Sequence, residues 1–531
     1  MTARLAGNRR LALLALAAAV AFLAVVLLAR SGGGGGDPPA SEAARLVPAE
    51  TLVFASLSTD GGRDAVDQAR DLAARFDSYD RARDALLRRL AGDDRPVDPQ
   101  RDVAPWLGGE AALALMDTGT ATAGSLVAIA VTDEEKAREL LERNPRDPVR
   151  KDYKGRETVR YGQVTTAFLE GFLLIGQDPT VQRAIDRVVS RAKALEGDPV
   201  YERAVAGLPD DRVLTAYASA DGLRRLLVPQ GDVLGGLAAM LDQPALQGVA
   251  LAAEPEGDDR LRIRVHSALD RERQERSPSP FEQFEPALLD AVPRDALAYL
   301  GASGISGALQ RLVVSSIGGA RGDEVTQLLE RLRTELDRET GGGLQRDLLK
   351  LLEGEVALVI QRQTPVPILS LVTRTDDEAG TRRTLDGLRA PLARLLRPEG
   401  EEELRWQARD VAGTDAWTLT LPNGAAITYG VTDGRLIVST SPDGIARIAR
   451  GGDSLEDSEA FQEVLGERPD RVGTLGFLDF SQLLELGEQT GLNDSRAYAA
   501  VRDDLRRIRA IGVSSSSDEG ESTAEILVSI P

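Results

Sequence analysis

The stretch RDVAPWLGGEAALAL, Arg101–Leu115, returns as RDLLKLLEGEVALVI, Arg346–Ile360. Glu110 and Glu355 are 245 residues apart, and so are Pro48 and Pro293, so the register holds without a gap over some sixty residues. Within it LVPAETLVFAS answers AVPRDALAYLG, pairing Leu52 with Leu297 and Phe54 with Tyr299. Farther on the offset drifts but the order of features is kept. Thr132-Asp133-Glu134-Glu135 matches Thr375-Asp376-Asp377-Glu378, each spaced as a Ser/Thr-x-x-Glu capping box that opens a helix. AFLEGFLLIGQDPTVQRAI matches YGVTDGRLIVSTSPDGIARI, each predicting a hairpin with an acid-Gly turn, then a helix with Pro179 or Pro442 near its start. Two closing hairpins, GVALAAEPEGDDRLRIRVHSAL and GVSSSSDEGESTAEILVSI, complete the pair. Such a long period excludes a solenoid, whose repeats run to about 20–50 residues. The expectation is a tandem duplication of whole domains, residues 46–269 and 290–531, joined by a charged Ser-Pro linker at 270–289.

Within each copy helices and strands are mixed. Val66, Ala69, Leu72, Ala73 and Phe76 share one helical face within Arg63–Phe76, as do Val325, Leu328, Leu329, Leu332 and Leu336 within Glu324–Leu336. Leu261, Ile263 and Val265 alternate with Arg260, Arg262, Arg264 and His266, a strand pattern with an arginine face. Several hairpins and few strict strand-helix alternations predict an α+β fold of mostly antiparallel sheet covered by helices. The opening strand-helix-strand-strand-helix-strand order resembles a ferredoxin-like unit.

Ahead of the copies, Leu11–Ala29 holds nineteen residues with no charged or polar side chain. As a helix it would cover about 28 Å, near the thickness of a bilayer's hydrocarbon core. A cleaved signal peptide has a shorter apolar region and small residues before the cut, where this chain has Arg30. The expectation is a transmembrane helix at 11–29 that binds the lipid bilayer, with residues 1–10 as a cytoplasmic tail. Arg4, Arg9 and Arg10 before the span keep the amino terminus inside, which places the copies outside the cell membrane, on a flexible glycine-rich tether at 30–45.

The net charge is −20, and the first thirty residues hold four arginines and no acid, so the remainder is more acidic still. Such a surface repels phosphate backbones, so nucleic acid is not expected as a partner. No cysteine and a single histidine leave no raw material for thiolate metal sites, zinc centres or Ser-His and Cys-His catalysis. Neither a metal nor a cofactor is expected. His266 sits on the arginine face and is expected to be solvated. GASGISG, Gly301–Gly307, has G-x-x-G-x-x-G rather than dinucleotide-binding spacing and reads as a flexible turn, and the acidic tip SSDEGEST near Glu519 reads as a hairpin turn.

Glu110 and Glu355 are the candidate site residues. A carboxylate at the same place in both copies, where an apolar strand begins, could bind a cation or serve as an acid or base. The alternative is structural: each caps backbone amides or pairs with arginine, while the glycine before it permits a bulge.

The anchor, LVPAETLVFAS, WLGGEAALAL, DYKGRETVRY with AFLEGFLLIG, and DPVYERAVAGLPDDRVLTAY together resemble a bacterial family known only as domain of unknown function 3352. The second copy departs from it, with Leu351 for Trp106 and Glu353 for Gly108. The resemblance implies an envelope location and no mechanism. The expected function is a membrane-anchored, extracytoplasmic binding or structural module of the envelope, not an enzyme, whose partner is an envelope protein. A carrier or sensor of an apolar ligand is the alternative, and a carboxylate-dependent hydrolase ranks last because catalytic side chains are scarce.

Overall fold

The computed structural model describes residues 41–79, 81, 98–119, 123–143, 147–227, 242–276, 282–304, 350–364, 366–397, 403–499 and 501–531. The apolar run Leu11–Ala29 and the helical pattern Glu324–Leu336 lie outside them. Among the described residues no helix is long and apolar enough to cross a membrane.

The first half contributes β1 (Val53–Ser58), β2 (Leu107–Met116), β3 (Gly124–Val131), β4 (Val149–Tyr153), β5 (Arg156–Tyr161), β6 (Val164–Leu169), β7 (Phe172–Gly176), β8 (Leu214–Ser219), β9 (Leu246–Glu256) and β10 (Arg260–Leu269). The second contributes β11 (Ala296–Ser303), β12 (Glu355–Gln361), β13 (Ile368–Arg374), β14 (Trp406–Val411), β15 (Thr414–Thr420), β16 (Ala426–Thr432), β17 (Arg435–Ser439), β18 (Thr474–Asp479), β19 (Ala510–Asp518) and β20 (Glu521–Ser529). In the first half the strands lie side by side in the order β4-β5-β6-β7-β3-β2-β1-β8-β9-β10. The second half repeats that order pairing for pairing, from β14 through β17, β13, β12, β11, β18 and β19 to β20. β10 pairs with β20, so both halves form one sheet with β4 and β14 at its ends.

Every pairing is antiparallel, and the ferredoxin-like expectation is corrected by the strand order: a split βαβ unit inserts a strand between the two that a helix connects, whereas β1 pairs directly with β2 and β3 with β7. Tight turns set the outer hairpins. Lys154-Gly155, Glu170-Gly171, Ala412-Gly413 and Asp433-Gly434 all have positive φ, the geometry of tight hairpins, and they occupy matching places in the two halves. The end strands are guarded by charge: Arg150, Lys151 and Asp152 of β4 and Arg409 and Asp410 of β14 are exposed.

Helices lie on both faces of each half, arranged in corresponding places. In the first, α1 (Asp64–Ala74) and α2 (Glu134–Glu142) lie on one side of the sheet, and α3 (Asp178–Ser190) and α4 (Pro199–Ala206) on the other. Val181, Ala184 and Ile185 of α3 and Tyr201 and Ala204 of α4 pack with Phe54, Ala112, Leu126 and Leu174. In the second half α5 (Glu378–Leu395), α6 (Pro442–Arg450) and α7 (Glu459–Leu465) answer α2, α3 and α4, with Ile445, Ile448, Phe461 and Val464 packing on Tyr299, Val359 and Ile437. The caps of α2 and α5 differ from the predicted boxes. Asp133 accepts from the Lys136 N–H and Asp377 from the Gly380 N–H, so an aspartate one or two residues beyond the threonine does the capping. Residues 41–45, assigned above to the tether, form a 3-10 turn whose Ala43 and Ala44 are fully buried, and Ala287–Ala291 forms its counterpart with Leu288 and Leu289 buried.

Candidate functional site

Glu110 and Glu355 do the same thing in the two halves. Each is buried, 7% exposed, and each lies opposite a serine at the end of the first strand of its half, Ser58 or Ser303. The Ala43 N–H donates to Oε2 of Glu110 at 3.1 Å. The Leu288 N–H donates to both oxygens of Glu355, at 3.0 and 3.1 Å. In both cases donor and carboxylate are 67 residues apart. The carboxylate thus ties the buried lead-in turn of its half to the central sheet, filling a backbone hydrogen bond that a short 3-10 turn cannot supply for itself.

Burial disfavours the charged form at both positions. It pushes the Glu110 carboxyl up to about 7, against the smaller opposing pull of the Ala43 and Glu42 backbone. Glu355 is raised as well, again by burial, opposed by the Leu288 amide and by Arg374. Oε1 of Glu110 is buried without a hydrogen-bond partner.

A tyrosine stands near each carboxylate but arrives from a different element. In the first half it is Tyr201 of α4, whose ring packs edge-on against Phe54 of β1 with centroids 6.2 Å apart. In the second half the strand carries the tyrosine, Tyr299, and the helix carries Phe461. Burial raises both phenols, and the neighbouring glutamate raises each further. Gly301 makes room for this exchange. A Cβ there would collide with the Tyr299 hydroxyl, whereas the equivalent Ser56 faces Phe54's shorter ring and bonds to Ser41 at 3.0 Å. Gly301 therefore belongs to β11 and not to a flexible turn. The paired Phe54/Tyr299 and Ser56/Gly301 differences carried that signal in the sequence.

The glycines before the glutamates also differ for a reason. A Cβ on Gly108 would lie 2.8 Å from that of Ala130, and the β2–β3 register shifts between Leu107 and Ala111. In the second half the strand begins at Glu355, so Glu353 sits in the turn before it. Trp106 is buried and donates to the Asp102 carbonyl, while Leu351 is only partly buried.

His266 is not solvated as the alternation suggested. It is 3% exposed, and its Nδ1 bonds to the Ala204 carbonyl in the last turn of α4 at 2.9 Å. The arginine face of β10 is the face that α4 covers, and its charges are consumed in cross-strand pairs such as Arg262 with Glu256. At the tip of β19–β20, Gly520 has φ +84 and its N–H donates to Gln274, a hairpin turn as predicted. Among the described residues no group of three or more His, Asp or Glu side chains could hold a metal ion.

Glu110 and Glu355 are not brought together. Nine strand steps separate β2 from β12 along the sheet, roughly 40 Å at ~4.8 Å per step. A pair of carboxylates working on one bond must stand within about 5–10 Å.

The chain belongs to the family described as "Protein of unknown function (DUF3352)", which matches residues 11–530. No curated protein matches it. It is similar to crystal form I of TP0453 at 8% identity and TM-score 0.26, covering 43% of this chain and 79% of that one. Crystal form III gives 10% identity and TM-score 0.27, covering 44% and 80%.

Proposed function

We propose that this protein is a single-pass, membrane-anchored, extracytoplasmic binding module built by tandem duplication, and not an enzyme. The repeated pairing of the two halves supports the duplication, and the nineteen-residue apolar run supports the anchor. The observation that carries the binding role is an apolar strip on the face of the second half away from α6 and α7. Leu300 of β11 lies opposite Leu358 of β12, and Ile360 lies opposite Leu369 of β13. Leu300, Leu358 and Leu369 are 53%, 40% and 43% exposed, although single leucines on a surface are ordinary and a contiguous strip is not. The first half has Ala55 and a buried Leu113 in the equivalent places.

The occupant that fits is an apolar surface of another envelope protein. The leucines of the strip are about half exposed, whereas a small apolar ligand needs a pocket that encloses most of its surface. The groove of about 590 Å³ nearby in sequence is lined by Arg294, Asp453, Glu459, Asp479 and Arg509, the wrong chemistry for such a ligand. An anionic bilayer surface would be repelled by the acidic chain.

A photocrosslinking residue at Leu358 in intact cells tests this reading. The expected result is an adduct with one envelope protein that disappears in the Leu300→Asp variant. Adducts only with lipid, or only within the chain to residues 305–349, would overturn it.

A further inference from the structure

We propose that Glu110 is a proton-operated latch, holding the lead-in turn Glu42–Arg45 onto β2 while its carboxyl is neutral and loosening it when the carboxyl ionises. The geometry that supports this is asymmetric between the halves. One oxygen of Glu110 accepts from the Ala43 amide with the Glu42 amide beside it, the other is buried without a partner, and Glu110 forms no ion pair among the described residues. The groups facing it are Glu42 and Arg45 on the turn, Tyr201 on α4, and the Ser41 and Ser56 hydroxyls. Glu42 disfavours a second negative charge, and Arg45 is the weakest of the influences on Glu110 and already paired with Glu42 at 2.8 Å. Glu355 is held differently. Both of its oxygens accept from Leu288, Arg374 of β13 favours its charged form, and Asp290 and Tyr299 complete its surroundings.

An ionised Glu110 is stable in water and costly in place, so the closed latch binds a proton that the open one releases. The latch is therefore firmest below the ordinary carboxyl range, weakens as pH rises from there to about 7, and changes little above that. Opening would free the turn Glu42–Arg45, since the buried Leu46 and Val47 and the hydrogen bonds from the Leu195 N–H to the Val47 carbonyl and from the Ala49 N–H to the Lys193 carbonyl hold the chain beyond it, adding roughly 13 Å of reach at ~3.3 Å per extended residue. With the anchor proposed above, that length lies between membrane and sheet. This use rests on the anchored reading, but the latch itself does not.

Hydrogen exchange of the full chain in detergent, followed by mass spectrometry from pH 5 to 8, tests the latch. Comparing wild type with Glu110→Gln at each pH cancels the intrinsic chemistry of exchange. Peptides covering 41–52 should exchange faster in the wild type than in the variant as pH rises, by tens- to hundreds-fold near pH 8. Peptides covering 286–295 should show no such ratio, and Glu355→Gln should leave the 41–52 behaviour unchanged. A ratio that stays constant with pH, or a change shared by peptides throughout the sheet, would overturn the proposal. Should Glu110→Gln fail to fold, the wild type's 41–52 peptides measured against its own β18–β19 peptides give the same comparison. A cytoplasmic location of the carboxyl terminus would remove the anchored use while leaving the exchange result intact.

Discussion

Arg264 of β10 and Glu525 of β20 meet at 2.8 Å across the strand pair that belongs to both halves. Both side chains are part-exposed, 24% and 35%, so their attraction is screened by water. Arg264→Met or Glu525→Gln should lower stability by less than about 1 kcal/mol in urea unfolding. The exchanged pair Arg264→Glu with Glu525→Arg should recover most of that loss.

Glu110→Ala should cost more, because it strands the Ala43 N–H in a buried place and leaves a cavity. A loss of about 1–3 kcal/mol is expected, and Glu355→Ala should lose about as much because it too strands one buried amide, the Leu288 N–H that its two oxygens share. Chemical unfolding near pH 6 measures both. Glu→Gln at either site should be milder, since the amide oxygen can still accept the backbone hydrogen bond.

Gly301→Ser should destabilise the second half by about 1–3 kcal/mol by forcing a side chain into the space of the Tyr299 hydroxyl. Adding Tyr299→Phe recreates the Phe54/Ser56 pair of the first half and should recover most of the loss. A double-mutant cycle checks this. A purely additive result would show that the two positions do not share space.

Much of this architecture was legible in the sequence because it depends on local chemistry. The constant spacing of Glu110 and Glu355 marked the repeat, the Glu170-Gly171 and Asp433-Gly434 turns marked hairpins, and the apolar face of Val66, Ala69 and Leu72 marked α1. What was not legible depends on partners distant in the chain. Alternation along Arg260–His266 shows that the strand has two faces, but not which one α4 covers, so the pattern alone suggests a solvated His266 where the structure has it bonded to a helix carbonyl. The adjacency of β10 and β20 leaves no mark within either strand. The role of the glutamates lay between: their position was evident, whereas their partners Ala43 and Leu288, 67 residues upstream, were not.

The two halves form one sheet fused at β10 and β20, and the absence of cysteine makes that fusion directly testable. Ser267 and Ser522 are cross-strand partners, and such Cα atoms lie about 4.5–5.5 Å apart, within disulfide range. The double variant Ser267→Cys with Ser522→Cys should form an intramolecular disulfide on mild oxidation, seen as a linked pair of peptides after digestion. Two free thiols in a folded protein, or disulfides only between separate chains, would contradict the fused sheet.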